Sequence, residues 1–496
     1  MSRYAKPEIS QTEIDAVFSD KYRVLWNSTV QKSIDENIEK HRKADACFQL
    51  PADAAGKTVK VQQISHDFIF GAHIFNFDQL GTTERNQRYK ELYGTLFNSA
   101  TIAFYWKQLE MEEGKLRFEP EWRDSEFFWN NCPQPWMEPH WRRPPTDTVV
   151  NFCLSKGIRL HGHPLVWGNN RWQIPDWLIK ELPEKFRKNI NLQRGTKNGI
   201  LPDDAMGTAF HDISAKEMED AMPEYTSRLN TLTAKRIMEI ALRYGDKIDS
   251  WDVVNESAKD YENGNMIPGS KLCKSWYGPM PGDYTYRSFK IAESVLPGKA
   301  KLNINDYNTS DAYLEQVNDL KRRGCKIDII GSQMHLFDPQ TCQDIADGKS
   351  TVQSPAEVLE VMNRLSKANL PIHLSEITIT APGGDRKGEI IQAEITRNLY
   401  RLWFSIKQMM GITWWNTVDN CGAPGEPSVS GTFTRDMEPK LAYFTLDELI
   451  NKEWRTNTEC IAEKDGSVSF RGFRGNYRLS WDDDNGNIQT VEKYLN

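Results

Sequence analysis

Residues 227–256 read SRLNTLTAKRIMEIALRYGDKIDSWDVVNE, and two periodicities meet there. Positions 227–245 space their apolar side chains as one face of a helix does, ending on Gly245. KIDSWDVV (247–254) is then a short apolar run, the texture of a buried strand. That unit repeats along the chain. Comparable runs are FIFG (68–71), SATIAF (99–104), GIRLHGH (157–163), KLNIN (301–305), KIDIIGSQ (326–333), PIHLSE (371–376) and GITWW (411–415), eight in all. Most intervals are helix-like, as in SPAEVLEVMNRLSKANL (354–370). Strands alternating with helices imply an α/β fold with a parallel sheet, and eight of them predict a (β/α)8 TIM barrel. The rival, a doubly wound open sheet, has no GxGxxG after the first run to support it.

Outward from the barrel, VLWNSTVQKSIDENIEKHRK (24–43) has helical spacing and a charged face. The stretch from Cys47 onward switches to strand-like alternation about a glycine turn. LAYFTLDELINKEW (441–454) reads as a closing helix, after which residues 459–496 alternate between Gly and Asn/Asp turns as a small β unit. The expected organisation is an N-terminal helix and strands over 1–64, the barrel over 65–455 and a C-terminal β module over 456–496. About forty residues bury little core alone, so the tail should pack on the strands of 45–66 as one sandwich-like module. Its Trp481 and Tyr477 are read as core in preference to a sugar-binding surface. Two intervals are too long for plain βα connections: 118–145, carrying Trp122, Trp129, Trp136 and Trp141 among prolines, and 182–212. Both fall on the C-terminal face of a barrel, where long loops build sites, although the tryptophans could equally pack their loop against itself.

Composition excludes several classes. Of 496 residues, 39% are hydrophobic and 26% charged, which suits a folded chain and not a disordered one. A net charge of −7 has the wrong sign for a generic polyanion binder, so nucleic acid is not expected as a partner. No window approaches about 18 consecutive apolar residues, so no membrane partner is expected either. The polar start MSRYAKPEISQTEIDAVF lacks the apolar core of a secretory leader and predicts a cytoplasmic chain, or a secreted one whose leader has been removed. Eight cysteines without CxxC spacing read as ordinary thiols, not as a zinc site or disulfide framework; no metal or cofactor is expected. Sixteen tryptophans hint at stacking on sugars, though tryptophan also fills cores.

Polar groups interrupt the apolar runs at their ends: His161, His163 and Trp167; Asn255 and Glu256; Asn305 and Asp306; Gln333 and His335; Glu376; Trp415 and Asp419. A buried carboxylate is costly unless paired or hydrogen-bonded. Several at one end of successive barrel strands therefore point to an active site. Glu256 and Glu376 end the fourth and seventh runs, diagonally across an eight-stranded mouth. Carboxyls roughly 5–5.5 Å apart suit a retaining glycosidase, and roughly 6.5–9.5 Å an inverting one. Spacing along the chain leaves that choice open.

HGHPLVWG (161–168), WDVVNE (251–256), NDYN (305–308), GSQMH (331–335) and HLSEITIT (373–380), in this order, resemble glycoside hydrolase family 10, the retaining endo-β-1,4-xylanases, across residues 65–450. The resemblance implies a (β/α)8 barrel, double displacement with retention and no metal. By position it makes Glu256 the acid/base and Glu376 the nucleophile, Asn255 the residue at the sugar 2-hydroxyl, and His335 the histidine bonded to the nucleophile, with Gln333 nearby. His163, Trp167 and Lys107 match glycone-side residues, Trp415 matches the tryptophan beneath the cleaved sugar, and Asn305 and Asp306 complete the candidate binding set. Glu256 should hold its proton through burial and a neighbouring carboxylate, while donors keep Glu376 ionised.

The chain also departs from that family. In FNSATIAFYWKQLE (97–110), Ala103 and Phe104 align with a Glu-Asn pair that binds the sugar beside the cleavage site. Gly168 replaces a second histidine, and WWNTVDNCGAPGEPSVSG (414–431) lacks a later tryptophan. Losing directed contacts to a hydroxyl changes which sugar is accepted. The implied activity is retaining cleavage of β-1,4-xylosidic bonds in xylan or a xylan-like polysaccharide. The alternatives are the same chemistry on another β-linked glycan, exo-acting or transglycosylating, and a non-catalytic glycan-binding barrel.

Overall fold

The computed structural model describes residues 5–131, 143–169, 172–184, 215–262, 264, 266, 280–423 and 426–496. In chain order the strands are β1 (Lys43–Gln49), β2 (Thr58–Gln63), β3 (Ile69–His73), β4 (Ser99–Ala103), β5 (Arg159–His163), β6 (Val166–Trp167), β7 (Ser250–Asn255) and β8 (Lys301–Asp306). They continue with β9 (Ile329–Gln333), β10 (Ile372–Ile377), β11 (Met409–Trp414), β12 (Asn457–Ile461), β13 (Ser467–Phe473), β14 (Gly475–Asp482) and β15 (Ile488–Leu495).

The eight apolar runs are the eight long strands of a closed parallel barrel. The sheet runs β5-β4-β3-β11-β10-β9-β8-β7, and β5 pairs with β7 to close it, Gly162 opposite Trp251. Short β6 adds to β7, which sets Trp167 opposite Asn255. Every residue of β9 and β10 is buried, because helices cover one face and the barrel interior the other. Trp251 fills that interior so closely that a Cβ on Gly162 would lie 2.3 Å from its ring, so only glycine fits there. Helices Thr83–Leu96, Thr146–Ser155, Pro223–Tyr244, Tyr284–Val295, Asp311–Arg322, Pro355–Ser366, Arg386–Ser405 and Leu441–Glu448 follow the barrel strands in turn. Among the described residues, no helix is long and apolar enough to cross a membrane.

The chain's two ends are divided between two cores. Helices Gln11–Val17, Asp20–Leu25 and Ser28–Arg42 belong with the barrel: Phe18, Tyr22, Trp26, Ile34 and Ile38 join its hydrophobic cluster, and Asn398 donates to the Tyr22 hydroxyl at 2.8 Å. β1 and β2 instead join the tail. β1 pairs antiparallel with β13, and β12-β2-β14-β15 form a four-stranded sheet. β2 alternates exposed and buried residues, and its Val59 and Val61 meet Val468, Tyr477, Leu479, Trp481 and Leu495 in a second core. Tyr477 and Trp481, at 0% and 4% exposure, are packing residues of this module.

In the long interval after β4, Trp129 is buried and Trp122 exposed. Trp136, Trp141 and residues 185–212 lie outside the described residues. The six described cysteines, Cys47, Cys153, Cys325, Cys342, Cys421 and Cys460, are free thiols.

Candidate active site

Neighbouring strand ends place the interrupting polar groups in contact. Asn305, ending β8, donates through Nδ2 to Asn255 Oδ1 at 3.0 Å and to Glu376 Oε1 at 2.8 Å. Its own Oδ1 accepts from the Ser375 hydroxyl. Gln333, ending β9, directs one amide nitrogen at three acceptors: Glu376 Oε1 at 2.9 Å, Glu256 Oε1 at 3.2 Å and Asn255 Oδ1 at 3.3 Å. With Asn255 Oδ1 held by two donors, its amide nitrogen is the end left to face the cleft. Because one nitrogen touches both glutamates, those two oxygens lie no more than about 6 Å apart, short of the roughly 6.5–9.5 Å of inverting pairs.

Glu256 reaches this position through an unusual backbone. Its φ is 53°, in the left-handed region that costs a residue with a side chain, and its N–H donates to Asn305 O at 2.7 Å. The turn swings the carboxyl off the end of β7 and over the mouth. His335 stands across the cleft with Nε2 3.2 Å from Glu376 Oε2 and Nδ1 2.9 Å from Thr378 Oγ1. Burial pushes the His335 pKa down to about 4, so the ring is neutral. Donating from Nε2 and accepting from Thr378 at Nδ1 is the tautomer that serves the carboxylate.

The two glutamates differ electrostatically. Burial, then the Glu376 charge, then Asp306 hold Glu256 well above the ordinary carboxyl range. Burial also raises Glu376, to about 7, but His163, Asn305 and His161 oppose the rise. The pair therefore shares a proton that resides on Glu256, the arrangement of one acid and one nucleophile.

Asp252 adds a carboxylate beneath the pair. Its Oδ2 takes hydrogen bonds from His161 Nε2 at 2.9 Å and His163 Nδ1 at 2.8 Å. Burial raises its pKa, but the two histidines outweigh that and hold it well below the ordinary range. His163 is thereby fixed with Nε2 3.8 Å from Glu376 Oε1.

Asn255, Glu256, Gln333, His335, Glu376, His163, Trp167 and Trp415 line one cleft. Trp415, 5% exposed, meets His163 and His335 edge-on with ring centroids 5.6 and 6.3 Å away. Asn305 lies behind the cleft and reaches it through its bond to Glu376. Two other candidates are held away from it. Asp306 accepts the backbone N–H groups of Ala258 and Asn308, each at 2.8 Å, and so ties down the loop after β7. Lys107 is buried in an ion pair with Asp176, Nζ to Oδ1 2.5 Å. The cleft also contains residues that motif reading passed over: Tyr105, Gln108, Arg143, Phe337 and Glu426.

The model of glycosyl hydrolase family 10 matches residues 62–449. The chain belongs to this family. The family 10 match takes in every barrel strand and ends before β12, leaving most of the β module outside it. Over 310 residues the chain is 24% identical to endo-1,4-beta-xylanase A of Thermoanaerobacterium saccharolyticum, covering 60% of this chain and 22% of that protein. Over 308 residues it is 25% identical to endo-1,4-beta-xylanase A of Thermotoga maritima, covering 60% and 24%. The chain thus spans about a quarter or less of those relatives' length. Native xylanase 10B from Thermotoga maritima shares the fold, with a TM-score of 0.52, 18% identity and coverage of 78% of this chain and 96% of that one.

Proposed function

We propose that this family 10 chain is a retaining β-glycoside hydrolase that cleaves β-1,4-xylosidic bonds in xylan or a xylan-like plant polysaccharide. One observation supports the retaining mechanism: the Gln333 amide nitrogen lies 2.9 Å from Glu376 Oε1 and 3.2 Å from Glu256 Oε1, which keeps those oxygens within about 6 Å, nearer the roughly 5–5.5 Å of retaining pairs than the roughly 6.5–9.5 Å of inverting ones. In the first step Glu376 attacks the anomeric carbon while Glu256 gives its proton to the departing oxygen. The Glu376 charge disappears into the ester, and with it one of the groups that raise the Glu256 pKa. Glu256 then takes a proton from water, whose oxygen attacks the same carbon from the side the leaving group vacated and breaks its bond to Glu376, which departs as the carboxylate. Retention follows from two inversions. The net charge of −7 speaks against nucleic acid as a partner, and the polysaccharide is the only partner this reading needs.

Xylan is supported by the relatives' names, and Ala103 and Phe104 favour a shifted sugar preference. Phe104 is fully buried, its ring 5.1 Å from Trp251 and 5.4 Å from Tyr244, so this position has become core. The test is reducing-sugar release and product size on β-1,4-xylan, with Glu376→Gln as the blank and NMR of the first-formed anomer. Short xylo-oligosaccharides with β-anomers from the wild type alone are expected. Initial α-anomers would refute retention. Activity on another β-glycan but none on xylan would keep the mechanism and replace the substrate.

A further inference from the structure

The opposite face of the barrel carries a second cavity. Phe68, Pro371 and Met409 stand at or just before the N-terminal ends of β3, β10 and β11. They line a recess of about 520 Å³ between the barrel floor and the β module, which contributes Arg474. Glu376 and Trp415 mark the other ends of β10 and β11, so the recess and the catalytic cleft lie at opposite ends of the barrel. The volume falls among small-molecule sites, roughly 300–1,000 Å³, and far exceeds what a bare ion fills.

Cations gather in this recess without neutralisation. The Arg42 guanidinium donates to Phe404 O and Ile406 O, so it meets carbonyl dipoles and no carboxylate. The Arg42 carbonyl accepts the Arg474 N–H at 3.3 Å, and Lys407 follows directly on Ile406, so the backbone brings three cations to one wall. Neither the Lys407 ammonium nor the Arg474 guanidinium has a hydrogen bond or ion pair among the described residues. Burial and then the Arg474 charge pull the Arg42 pKa down to about 10. Arg159 and Arg455, whose charges reach His66 in the same wall, also bond only uncharged oxygens among the described residues. The one described carboxylate lining the recess, Asp67, is engaged, its Oδ2 accepting the Tyr494 hydroxyl at 2.6 Å. In a chain of net charge −7, this local excess of positive charge raises the free energy of the fold, and a bound anion lowers it.

The rest of the lining suits a sugar ring. Asn369 and Gln408 offer exposed side-chain amides with no hydrogen bond among the described residues, and Leu370 and Met410 supply half-buried apolar surface. We propose that this recess binds an anionic pyranose, a sugar carrying one carboxylate or phosphate, with Arg474 and Lys407 on the anion and Asn369 and Gln408 on the hydroxyls. A guanidinium fork pairs with two oxygens of either anion, and an amide both donates to and accepts from hydroxyls. Such a site holds its ligand whatever the cleft cleaves.

Isothermal titration calorimetry of the full chain at low salt, with glucuronate, glucose 6-phosphate, glucose and inorganic phosphate as probes, tests this site. Lys407→Gln, Arg474→Gln and the double variant are compared with wild type. Lys464→Gln, outside the recess, is the charge control, and near-UV circular dichroism checks folding. Wild type should bind glucuronate or glucose 6-phosphate at least about 10-fold more tightly than glucose or inorganic phosphate, and the better of the two identifies the anion. Each single variant should weaken that binding about 10-fold and the double variant should abolish it, with Lys464→Gln unchanged. Glucose binding as tightly as the sugar anions would remove the role of charge, and inorganic phosphate doing so would remove that of the ring; either overturns the inference. So does failure of both sugar anions to bind, or an equal loss in Lys464→Gln. Binding that survives in the folded double variant belongs elsewhere, the cleft included, and overturns it too.

Discussion

Replacing Glu376 by glutamine should stabilise the protein at neutral pH and not at pH 4. Glu376 is 5% exposed, and burial lifts its pKa from 4.5 to about 7. A raised carboxyl pKa means that the folded state binds a proton more tightly than the unfolded chain does. Below about pH 4.5 both states are protonated and the site costs nothing; between there and about pH 7 stability falls as pH rises, and above that the full cost remains. At about 1.4 kcal/mol per pH unit, that cost is of order 3 kcal/mol. Glutamine never ionises, so it removes the cost. It also removes the second-largest cause of the high Glu256 pKa, which adds to the gain. Its amide nitrogen must face Asn305, Gln333 or His335, all donors to the present carboxylate, and that penalty is independent of pH. The informative quantity is therefore the difference in stability between variant and wild type, followed by thermal or urea unfolding from pH 4 to pH 8. It should grow by about 2–3 kcal/mol across that range. A flat difference would refute the premise that ionised Glu376 is held at an energetic cost.

The same variant should be inactive, whereas Glu256→Ala should keep glycosylation of substrates with good leaving groups and regain turnover with azide as a β-glycosyl azide; an α-azide would contradict retention. Gln333→Leu removes one donor to the ionised Glu376, worth about 1.5–3 kcal/mol for a charged acceptor, so the acidic limb of the kcat/KM profile should move up by roughly 1–2 pH units. An unmoved limb would show that Asn305 and His335 hold the charge without it. Trp481→Ala should cost the β module about 3–5 kcal/mol of core packing and lower solubility, with kcat per folded molecule unchanged. Loss of kcat in the folded fraction would tie the module to catalysis.

The barrel was legible because parallel strands buried on both faces leave uninterrupted apolar runs, and each of the eight runs became a strand. Glu256 and Glu376 were legible for the complementary reason: ionisable groups ending such runs need a partner. Asp252 carried the same signal inside WDVVNE and was read only as strand, although its two histidine partners lay in the preceding run. Lys107 occupied a matching motif position, but its partner Asp176 opens the short helix Asp176–Ile179, 69 positions on, which spacing does not reveal. Arg143 and Glu426 lie in Pro- and Gly-rich loops without periodicity, and only the folded path brings them to Trp415. The N-terminal amphipathic helix was clear as a helix; an apolar stripe does not say which of two cores it will meet.

The small sheet that knits the chain's ends together also has a temporal consequence. Asp45 bonds Arg471 across 426 residues, and Gln63 bonds Arg455 across 392. Closing loops of that size is entropically unfavourable for an unfolded chain, but pairing of β3 with β11 brings the two halves beside each other. On a ribosome, β1 and β2 emerge early and wait for partners until residues 457–495 have been made. Throughout elongation both edges of β2 and its apolar face of Val59 and Val61 stay uncovered, a segment that a chaperone would protect.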